Sequence, residues 1–333
     1  MSASTLGPAR LRLGTSGLKV SKIILGCMSY GPTEWRPWVL EEEDAIKHIK
    51  FAYDAGIQTF DTANIYSNGM GEVVLGNAIK KLQLPREEIV VMTKVRGAVG
   101  KTTGVNSMEL FLAGPDNVGY VNQHGLSGKH IMDSVQASLK RLQLDYIDVL
   151  QCHRFDYDTP IAETMQALHD VVQAGHVRYI GMSSCHAWQC ETSSLLYREE
   201  EREMMPTLKH FGMGSIPWSP LARGALTRPY TDSDKTLRQS SDEVPPDAYF
   251  LLGSGNKAVV ARVEEIAKKH QATMAQVALA WLMAKDGVTA PVVGTTSLEK
   301  LKDLLGALDI TLSAEDIKYS EEPYKPMGIM LYG

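Results

Sequence analysis

The sequence is poor in cysteine, in long hydrophobic runs and in any surplus of basic charge. Four cysteines, Cys27, Cys152, Cys185 and Cys190, are too few among 333 residues for a disulfide framework, so we expect free, mostly buried thiols. The longest apolar stretch, residues 277–284, is far shorter than the roughly 18 residues of a membrane-spanning helix. Thirty-four basic and 39 acidic residues give a net charge of −5 and leave no basic stripe. We expect neither a membrane nor a nucleic-acid partner.

Targeting and metal-binding signals are absent as well. Residues 1–13 contain neither a charged segment followed by an apolar one nor an Arg-rich amphipathic pattern, so we expect a cytoplasmic protein. The Cys-His pairs at 152–153 and 185–186, even with Cys190, fit no standard ligand spacing, which predicts no metal site.

Short apolar runs alternate with segments of helical periodicity, which is typical of βα units on a parallel sheet. The runs predict strands at 23–25, 57–60, 89–93, 147–150, 179–182, 215–218 and 291–293. A hairpin is predicted ahead of them, because two apolar segments flank residues 14–17. No linker divides the chain, so we expect one domain over residues 1–333. Seven strands leave two folds open: a (β/α)₈ barrel with one strand unrecognised, and an open doubly wound sheet.

Two long segments, 96–127 and 229–256, lack helical periodicity and each follow a predicted strand. Loops of this length in compact domains are usually functional, and a barrel places its active-site loops after its strands. The loop after the first predicted strand, 23–25, carries three aromatic residues. Tyr30, Trp35 and Trp38 there suit either the walls of a site for a flat substrate or simple packing.

Four polar side chains are predicted at the ends of neighbouring strands. Asp61 ends one strand, Tyr66 follows in its loop, Lys94 ends the next strand, and His153 ends the one after. In a barrel these side chains converge on the carboxyl face. Each alone also suits a structural role, as an ion pair, a packing tyrosine or a hydrogen-bonded histidine. Their joint placement favours a site for carbonyl reduction.

Hydride delivery to a carbonyl builds negative charge on oxygen, so a proton donor must stand within about 3 Å of that oxygen. Tyr66 can be that donor, and we expect the Lys94 ammonium to lower its pKa. Asp61 keeps Lys94 charged, and His153 can orient the carbonyl by a hydrogen bond.

Seven short motifs carry a resemblance over nearly the whole chain. They are GCM at 26–28, FDTANIY at 60–66, GE at 71–72, TKV at 93–95, LDYIDVL at 144–150, WSPL at 218–221 and PVVG at 291–294. Together they resemble the aldo-keto reductase family, most of all the fungal branch with aryl-alcohol dehydrogenases and versiconal hemiacetal acetate reductase.

The resemblance implies an α/β TIM (β/α)₈ barrel with an N-terminal hairpin, NADPH as cofactor, and a catalytic tetrad with Tyr66 as proton donor. The implied tetrad is Asp61, Tyr66, Lys94 and His153. The implied cofactor contacts are Met28, Asp61, Ser183, Trp218, Ser219, Leu221, Gly224, Gly294, Thr296, Lys300 and Asp303. Lys300 matches the segment that holds the adenosine 2′-phosphate, where a cation favours NADPH. Asp303 matches an acidic residue that faces the adenine.

The chain departs from the family pattern in three places. Ser184 and Leu304 stand where the family usually has Asn. After Gln189 about one αβ unit, on the order of 20 to 25 residues, is missing, which explains the count of seven strands. The segment 195–198 resembles the start of the next helix. A skipped exon or an imperfect gene model is our hypothesis for this gap.

The sequence thus predicts an NADP-dependent oxidoreductase that reduces an aldehyde or ketone, aromatic or polyketide-like, to the alcohol. The alternative is a nucleotide-binding protein that is catalytically weak or inactive because of the internal deletion; a chain that the deletion leaves unfolded is a second rival. We expect a small-molecule carbonyl substrate and a monomer or weak homo-oligomer.

Overall fold

A computed structural model of the protein describes residues 10–183, 193–230, 237–241 and 256–327. By their contacts they form two compact units: Leu25–Cys185 is one, and the residues before and after that range form the other. None of the described helices is long and apolar enough to cross a membrane. The predicted departures at Ser184 and after Gln189 lie outside the described residues.

The described strands and helices alternate along much of the chain. The strands are β1 (Arg10–Arg12), β2 (Lys19–Ser21), β3 (Ile24–Gly26), β4 (Thr59–Asp61), β5 (Val90–Val95), β6 (Ile147–Cys152), β7 (Val177–Met182) and β8 (Val292–Val293). The helices are α1 (Glu42–Asp54), α2 (Met70–Lys81), α3 (Ser107–Ala113), α4 (Gly128–Leu142), α5 (Ile161–Gln173), α6 (Met204–Phe211), α7 (Leu237–Ser241), α8 (Asn256–Lys269), α9 (Met274–Ala284), α10 (Leu298–Leu305) and α11 (Ala314–Glu321).

A parallel sheet organises the unit Leu25–Cys185. Its strands pair in the order β7, β6, β5, β4, β3, so strands that follow one another in sequence are neighbours in the sheet. Every residue of β5 and β6 is buried, as expected for a parallel sheet with both faces covered. Five predicted strands are therefore confirmed, and the carboxyl ends of all five lie at one edge.

Strand β7 differs from the two buried strands beside it. Only Val177 is buried, whereas Arg178, Tyr179 and Ile180 are exposed. Among the described residues β7 pairs with β6 alone. Within the part of the chain that the structure describes, one edge of this strand is therefore unpaired and part of its apolar surface is exposed.

The helices of this unit begin and end where local chemistry predicts. In α1 the buried stripe includes Ala45, Ile46 and Ile49, and the chain leaves the helix through Gly56 in a left-handed conformation. In α4 the Ser127 hydroxyl caps the first turn by accepting a hydrogen bond from the His130 amide. These helices cover the sheet and fix the strand ends.

The long loop 96–127 is more structured than its lack of periodicity predicts. It contains α3 and a 3₁₀ turn at Pro115–Val118. Its apolar side chains form a small cluster of their own, made of Ala98, Val105, Leu110 and Tyr120. A seven-residue helix packed on so few residues leaves little periodic signal in the sequence, which is why the pattern missed it.

The other unit carries the predicted hairpin and the late helices. Strands β1 and β2 pair antiparallel, with Leu11 opposite Val20, which confirms the hairpin. Its apolar core includes Trp281 of α9 and Val263 of α8, both fully buried. The predicted strand at 215–218 forms two single parallel bridges instead, Ser215 with Val288 and Trp218 with Val292.

The helix predicted to start near residue 195 begins later. Leu195 and Leu196 are fully buried in a turn closed by backbone hydrogen bonds between Ser194 and Tyr197, and α6 starts at Met204. Apolar residues in a tight turn carry no helical period that would separate them from a first helical turn.

Candidate active site

The four predicted side chains come together at the carboxyl ends of β4, β5 and β6. Asp61 is the last residue of β4, Lys94 lies near the end of β5, and His153 directly follows β6. Tyr66 opens a short 3₁₀ turn, Tyr66–Gly69, in the loop after β4. Since these strands are adjacent and parallel, the fold itself brings the four residues to one place.

Lys94 is the centre of this group. Its ammonium lies 2.6 Å from Asp61 Oδ2, donates to the Thr62 carbonyl at 2.7 Å, and lies 3.5 Å from the Tyr66 hydroxyl. The Tyr66 and His153 rings meet edge to face with centroids 5.7 Å apart. Asp61 and Lys94 are only 5% and 6% exposed, so their ion pair is shielded from water.

Burial and neighbouring charges set the protonation of these groups. Burial raises the pKa of Tyr66; the Lys94 ammonium lowers it, as expected, but by less, so the expected net lowering of the Tyr66 pKa is wrong. Burial disfavours the charged form of Lys94, but Asp61 and then Tyr66 outweigh it and raise its pKa. Burial, with the nearby charge of Lys94, holds the pKa of His153 well below its ordinary value.

The arrangement therefore presents a protonated phenol, an ammonium and a neutral imidazole side by side. A protonated phenol can donate to an oxygen that gains negative charge, and the ammonium stabilises the phenolate that remains. The His153 Nδ1 atom is buried and has no hydrogen-bond partner among the described residues.

Gln151 is a part of the site that the sequence reasoning missed. Its side-chain amide donates to Asp61 Oδ1 at 2.9 Å, while the other carboxylate oxygen pairs with Lys94. Gln151 is the register partner of Lys94 and is 5% exposed. The available signal was a polar residue two positions before His153 at the end of a buried strand, hence on the same side of it.

The turn that carries Tyr66 is held in an unusual backbone conformation. Ser67 and Asn68 have φ values of 50° and 51°, which cost on the order of 1 kcal/mol or more for residues with a Cβ atom. The Ser67 hydroxyl donates to the Tyr30 carbonyl at 2.9 Å and ties the turn to the loop after β3. Such local strain is common where a side chain must be placed for function.

The aromatic residues of the first loop divide into two kinds. Tyr30 is fully buried and Trp38 is 6% exposed, so packing is the correct interpretation for both. Trp35 is partly exposed and meets Trp38 edge to face at 6.3 Å. Of the three, Trp35 is the residue that stays available to contact a flat substrate.

Besides Asp61, two predicted cofactor contacts, Met28 and Ser183, lie in the same unit as the tetrad. Met28 is partly buried in the loop after β3. Ser183 follows β7, is buried, and its amide donates to the Cys152 carbonyl at 2.8 Å. Both residues lie beyond the carboxyl ends of their strands, as the tetrad does.

The remaining predicted cofactor contacts lie in the other unit, in two neighbouring segments. Trp218, Ser219, Leu221 and Gly224 form one, and Gly294, Thr296 and Lys300 form the other. The parallel bridge between Trp218 and Val292 places them side by side, because both leave their strands in the same direction. The predicted cofactor contacts of these two segments are therefore brought together within one unit.

These two segments fit a phosphorylated dinucleotide. Ser219 and Gly224 have φ values of 51° and 100°, so the first segment makes tight turns close to the backbone bridge. In the second, Lys300 is an exposed cation in the first turn of α10, and helix N-termini favour anionic groups. Within the described ranges, no three His, Cys, Asp or Glu residues are grouped so as to hold a metal ion.

Asp303 and Leu304 have structural roles in the same helix. The Asp303 carboxylate accepts hydrogen bonds from the Thr273 hydroxyl and the Gln276 amide, both at 2.9 Å, at the start of α9. Leu304 is buried. The carboxylate of Asp303 is thus engaged within the protein. The predicted contact of Asp303 with an adenine stays a prediction.

Comparisons with known proteins agree over almost the whole chain. The model of the aldo/keto reductase family matches residues 22–325. A Schizosaccharomyces pombe protein named as an aryl-alcohol dehydrogenase is 48% identical over 344 aligned positions, which cover 95% of this chain and 96% of that relative. Versiconal hemiacetal acetate reductase of Aspergillus parasiticus is 43% identical over 339 positions, covering 96% and 97%.

A Saccharomyces cerevisiae protein, also named as an aryl-alcohol dehydrogenase, is 42% identical over 343 positions, covering 95% of this chain and 97% of its own. All three alignments are longer than the 333 residues of the chain, so each opens gaps in it. The family match and the near-complete coverage of these relatives agree with the arrangement of Asp61, Tyr66, Lys94 and His153, and the chain belongs to the aldo/keto reductase family.

Proposed function

We propose that this chain reduces an aldehyde or ketone to the alcohol with NADPH, and that Tyr66 donates the proton. Membership of the family makes the chain an oxidoreductase of carbonyl compounds. The observation that carries the finer proposal is the position of the Lys94 ammonium, paired with Asp61 at 2.6 Å and 3.5 Å from the Tyr66 hydroxyl.

Each of the four residues has its own role in the proposed reduction. Tyr66, protonated because burial raises its pKa, gives its proton to the carbonyl oxygen. Lys94 stabilises the phenolate left behind, and Asp61 balances the charge of Lys94 before and after the transfer. His153, neutral because burial lowers its pKa, orients the carbonyl oxygen through a hydrogen bond.

NADPH, when bound, supplies the hydride. Met28 and Ser183 would hold its nicotinamide end, and Lys300 would hold the 2′-phosphate that distinguishes it from NADH. Two features support an aromatic or polyketide-like substrate: partly exposed Trp35 in the first loop, and relatives that are named aryl-alcohol dehydrogenases and versiconal hemiacetal acetate reductase.

The alternative, a nucleotide-binding protein without activity, is not favoured. A chain released from catalysis has no need to keep four polar groups connected in a buried site, and burying an ion pair such as Asp61 and Lys94 costs free energy. The complete tetrad thus supports an active enzyme.

Tyr66→Phe tests the proposal directly. Removing the hydroxyl removes the proton donor, so kcat for an aromatic aldehyde should fall by roughly 10² to 10⁴. The affinity for NADPH, measured by fluorescence titration, should stay nearly unchanged because the phenol contributes little to cofactor binding.

Tyr53→Phe is the matched control, since Tyr53 lies on α1 and its hydroxyl donates to Glu88. That variant should turn over like the parent chain. Equal turnover by Tyr66→Phe and the parent would refute the assignment of Tyr66 as the donor.

A further inference from the structure

The side chain of Asn68 contacts four backbone groups of the long loop after β5, and its two Nδ2 hydrogens are shared among three carbonyls. Its Nδ2 atom donates to the carbonyls of Thr102, Thr103 and Val105 at 3.2, 3.0 and 2.7 Å. Its Oδ1 atom accepts from the Gly100 amide at 3.1 Å. Asn68 is 8% exposed, so one buried amide meets the backbone polar groups of four residues in the segment 100–105.

The loop that Asn68 holds is a small body of its own. Val105 packs on the apolar cluster of Ala98, Leu110 and Tyr120. The Tyr120 hydroxyl accepts a hydrogen bond from the Lys101 amide at 3.0 Å, which links the segment to the far end of the loop. Because these parts are connected, fixing residues 100–105 fixes much of the loop.

The same short turn carries Asn68 and Tyr66. Asn68 has a φ of 51°, in the left-handed region that Asn tolerates better than most residues. Gly97, also in the loop, lies so close to the turn that a Cβ there would stand 2.7 Å from the Ile65 side chain. The loop and the proton-donor turn are thus in contact on both sides of Tyr66.

We propose that Asn68 is a positioning residue that fixes the loop 96–127 to the Tyr66 turn, so that this loop forms a rigid wall beside the reacting carbonyl and selects substrates by size. This inference rests on the proposed function, in which Tyr66 is the donor. Loss of the hydrogen bonds of Asn68 makes the loop 96–127 mobile. Large aromatic aldehydes then lose binding contacts, while small aldehydes, which do not reach the wall, are unaffected.

Asn68→Gly is the first test, because Gly keeps the left-handed backbone and removes only the amide. Amide hydrogen exchange of residues 98–106 should accelerate about tenfold or more. KM for a bulky aromatic aldehyde should rise about tenfold, a loss of about 1.4 kcal/mol of binding, with kcat for a small aldehyde within about twofold of the parent. Gln83→Gly is the matched control, since Gln83 has the same φ of 51° and is exposed.

A second variant acts from the loop side and leaves the Tyr66 turn untouched. A Cβ at Gly100 would stand 2.7 Å from Val105 and 2.8 Å from the Asn68 amide, so Gly100→Ala should push the segment off Asn68 and reproduce both effects. Gly104→Ala is its control, because a Cβ there meets nothing within 4 Å.

Unchanged exchange in both variants, or faster exchange without a change in KM for the bulky substrate, would overturn the proposal. Failure of the proposed function gives a different result. Tyr66→Phe would then keep full activity, whereas the exchange rates of residues 98–106 would still report whether Asn68 holds the loop.

Discussion

Lys300 is the residue that sets cofactor preference in our proposal. It is exposed in the first turn of α10, where a cation can meet a phosphate without displacing another contact. Replacing it by Ala should raise KM for NADPH about tenfold, as expected for one lost charge-assisted contact, and leave KM for NADH unchanged. Steady-state kinetics with both cofactors measures the ratio of KM for NADPH to KM for NADH.

Lys302→Ala serves as the control, since Lys302 is an equally exposed cation on the same helix. It should not alter the preference. A Lys300→Ala variant that binds both cofactors as the parent does would remove Lys300 from the 2′-phosphate site.

His130 makes stability depend on pH. Burial, with the nearby charges of His124 and Lys129, lowers its pKa to about 4, although Asp133 favours the protonated form. The unfolded chain binds a proton near pH 6.5 and the folded chain does not. Stability is therefore lost as pH falls from about 6.5 to about 4, by at most roughly 3 kcal/mol.

In His130→Gln, the free energy of unfolding should depend less steeply on pH when urea unfolding is measured between pH 4 and 7. The pKa of partly buried His153 is also lowered, so part of the pH dependence of stability remains in this variant. His169→Gln, at an exposed position of α5, should show the same pH dependence of the free energy of unfolding as the parent chain. An unchanged slope in His130→Gln would contradict the assignment.

At the residue scale, the sequence was enough to predict that Asp61, Tyr66, Lys94 and His153 come together, but not how they are protonated. Strand ends can be recognised from apolar runs, and polar residues just beyond them meet in any parallel sheet. The raised pKa of Tyr66 depends on how deeply the phenol is buried, which no pattern records. Gln151 was missed because its role becomes visible only with the register that places it beside Lys94.

At the scale of elements, the contact between α2 and α4 depends on one glycine. A Cβ at Gly76 would lie 2.4 Å from the Leu142 carbonyl oxygen, and backbone cannot move aside as a side chain can. Although Ala favours helix by about 1 kcal/mol over Gly, we expect Gly76→Ala to destabilise the fold by about 1 to 3 kcal/mol. The midpoint of urea unfolding measures the change.

Gly128→Ala, at the start of α4, provides the comparison. Its nearest neighbours would be 3.7 Å or more away, an ordinary contact. This variant should be neutral or slightly stabilised. If Gly76→Ala unfolds at the same urea concentration as Gly128→Ala, the close approach of α2 and α4 is not a constraint.

Elements with a strong period were predictable, and elements stabilised by tertiary contacts were not. The strands β3 to β7 and the hairpin follow from apolar runs and turn residues. Helix α3 does not, because Leu110 is the one buried residue among its described side chains. The buried turn at 194–197 was mistaken for a helix start for the same reason.

At the scale of the whole molecule, the predicted barrel class is confirmed. Membership of the aldo/keto reductase family implies the TIM barrel, and the parallel strands alternating with helices agree with it. The single domain over residues 1–333 stays a prediction. One cooperative thermal transition, seen by fluorescence and circular dichroism alike, is the expected result.

The missing αβ unit also remains a proposal, with two supporting observations. The alignments with the relatives open gaps in this chain, and β7, the last described strand before residue 189, has three consecutive exposed residues, hence exposure on both of its faces among the described residues. We expect mass spectrometry of the protein isolated from its organism to show about 20 to 25 extra residues after Gln189. A peptide joining Gln189 directly to Cys190 and Leu195, found as the main form, would contradict this.

The uncovered side of β7 has a practical consequence for anyone who handles the 333-residue chain. In the part of the chain that the structure describes, Tyr179 and Ile180 face solvent on a strand with one neighbour, and such edges recruit other extended chains. Concentrated solutions of the chain should therefore aggregate, which light scattering measures. Ile180→Lys should reduce this aggregation, because a charged residue on an exposed edge opposes pairing with another strand.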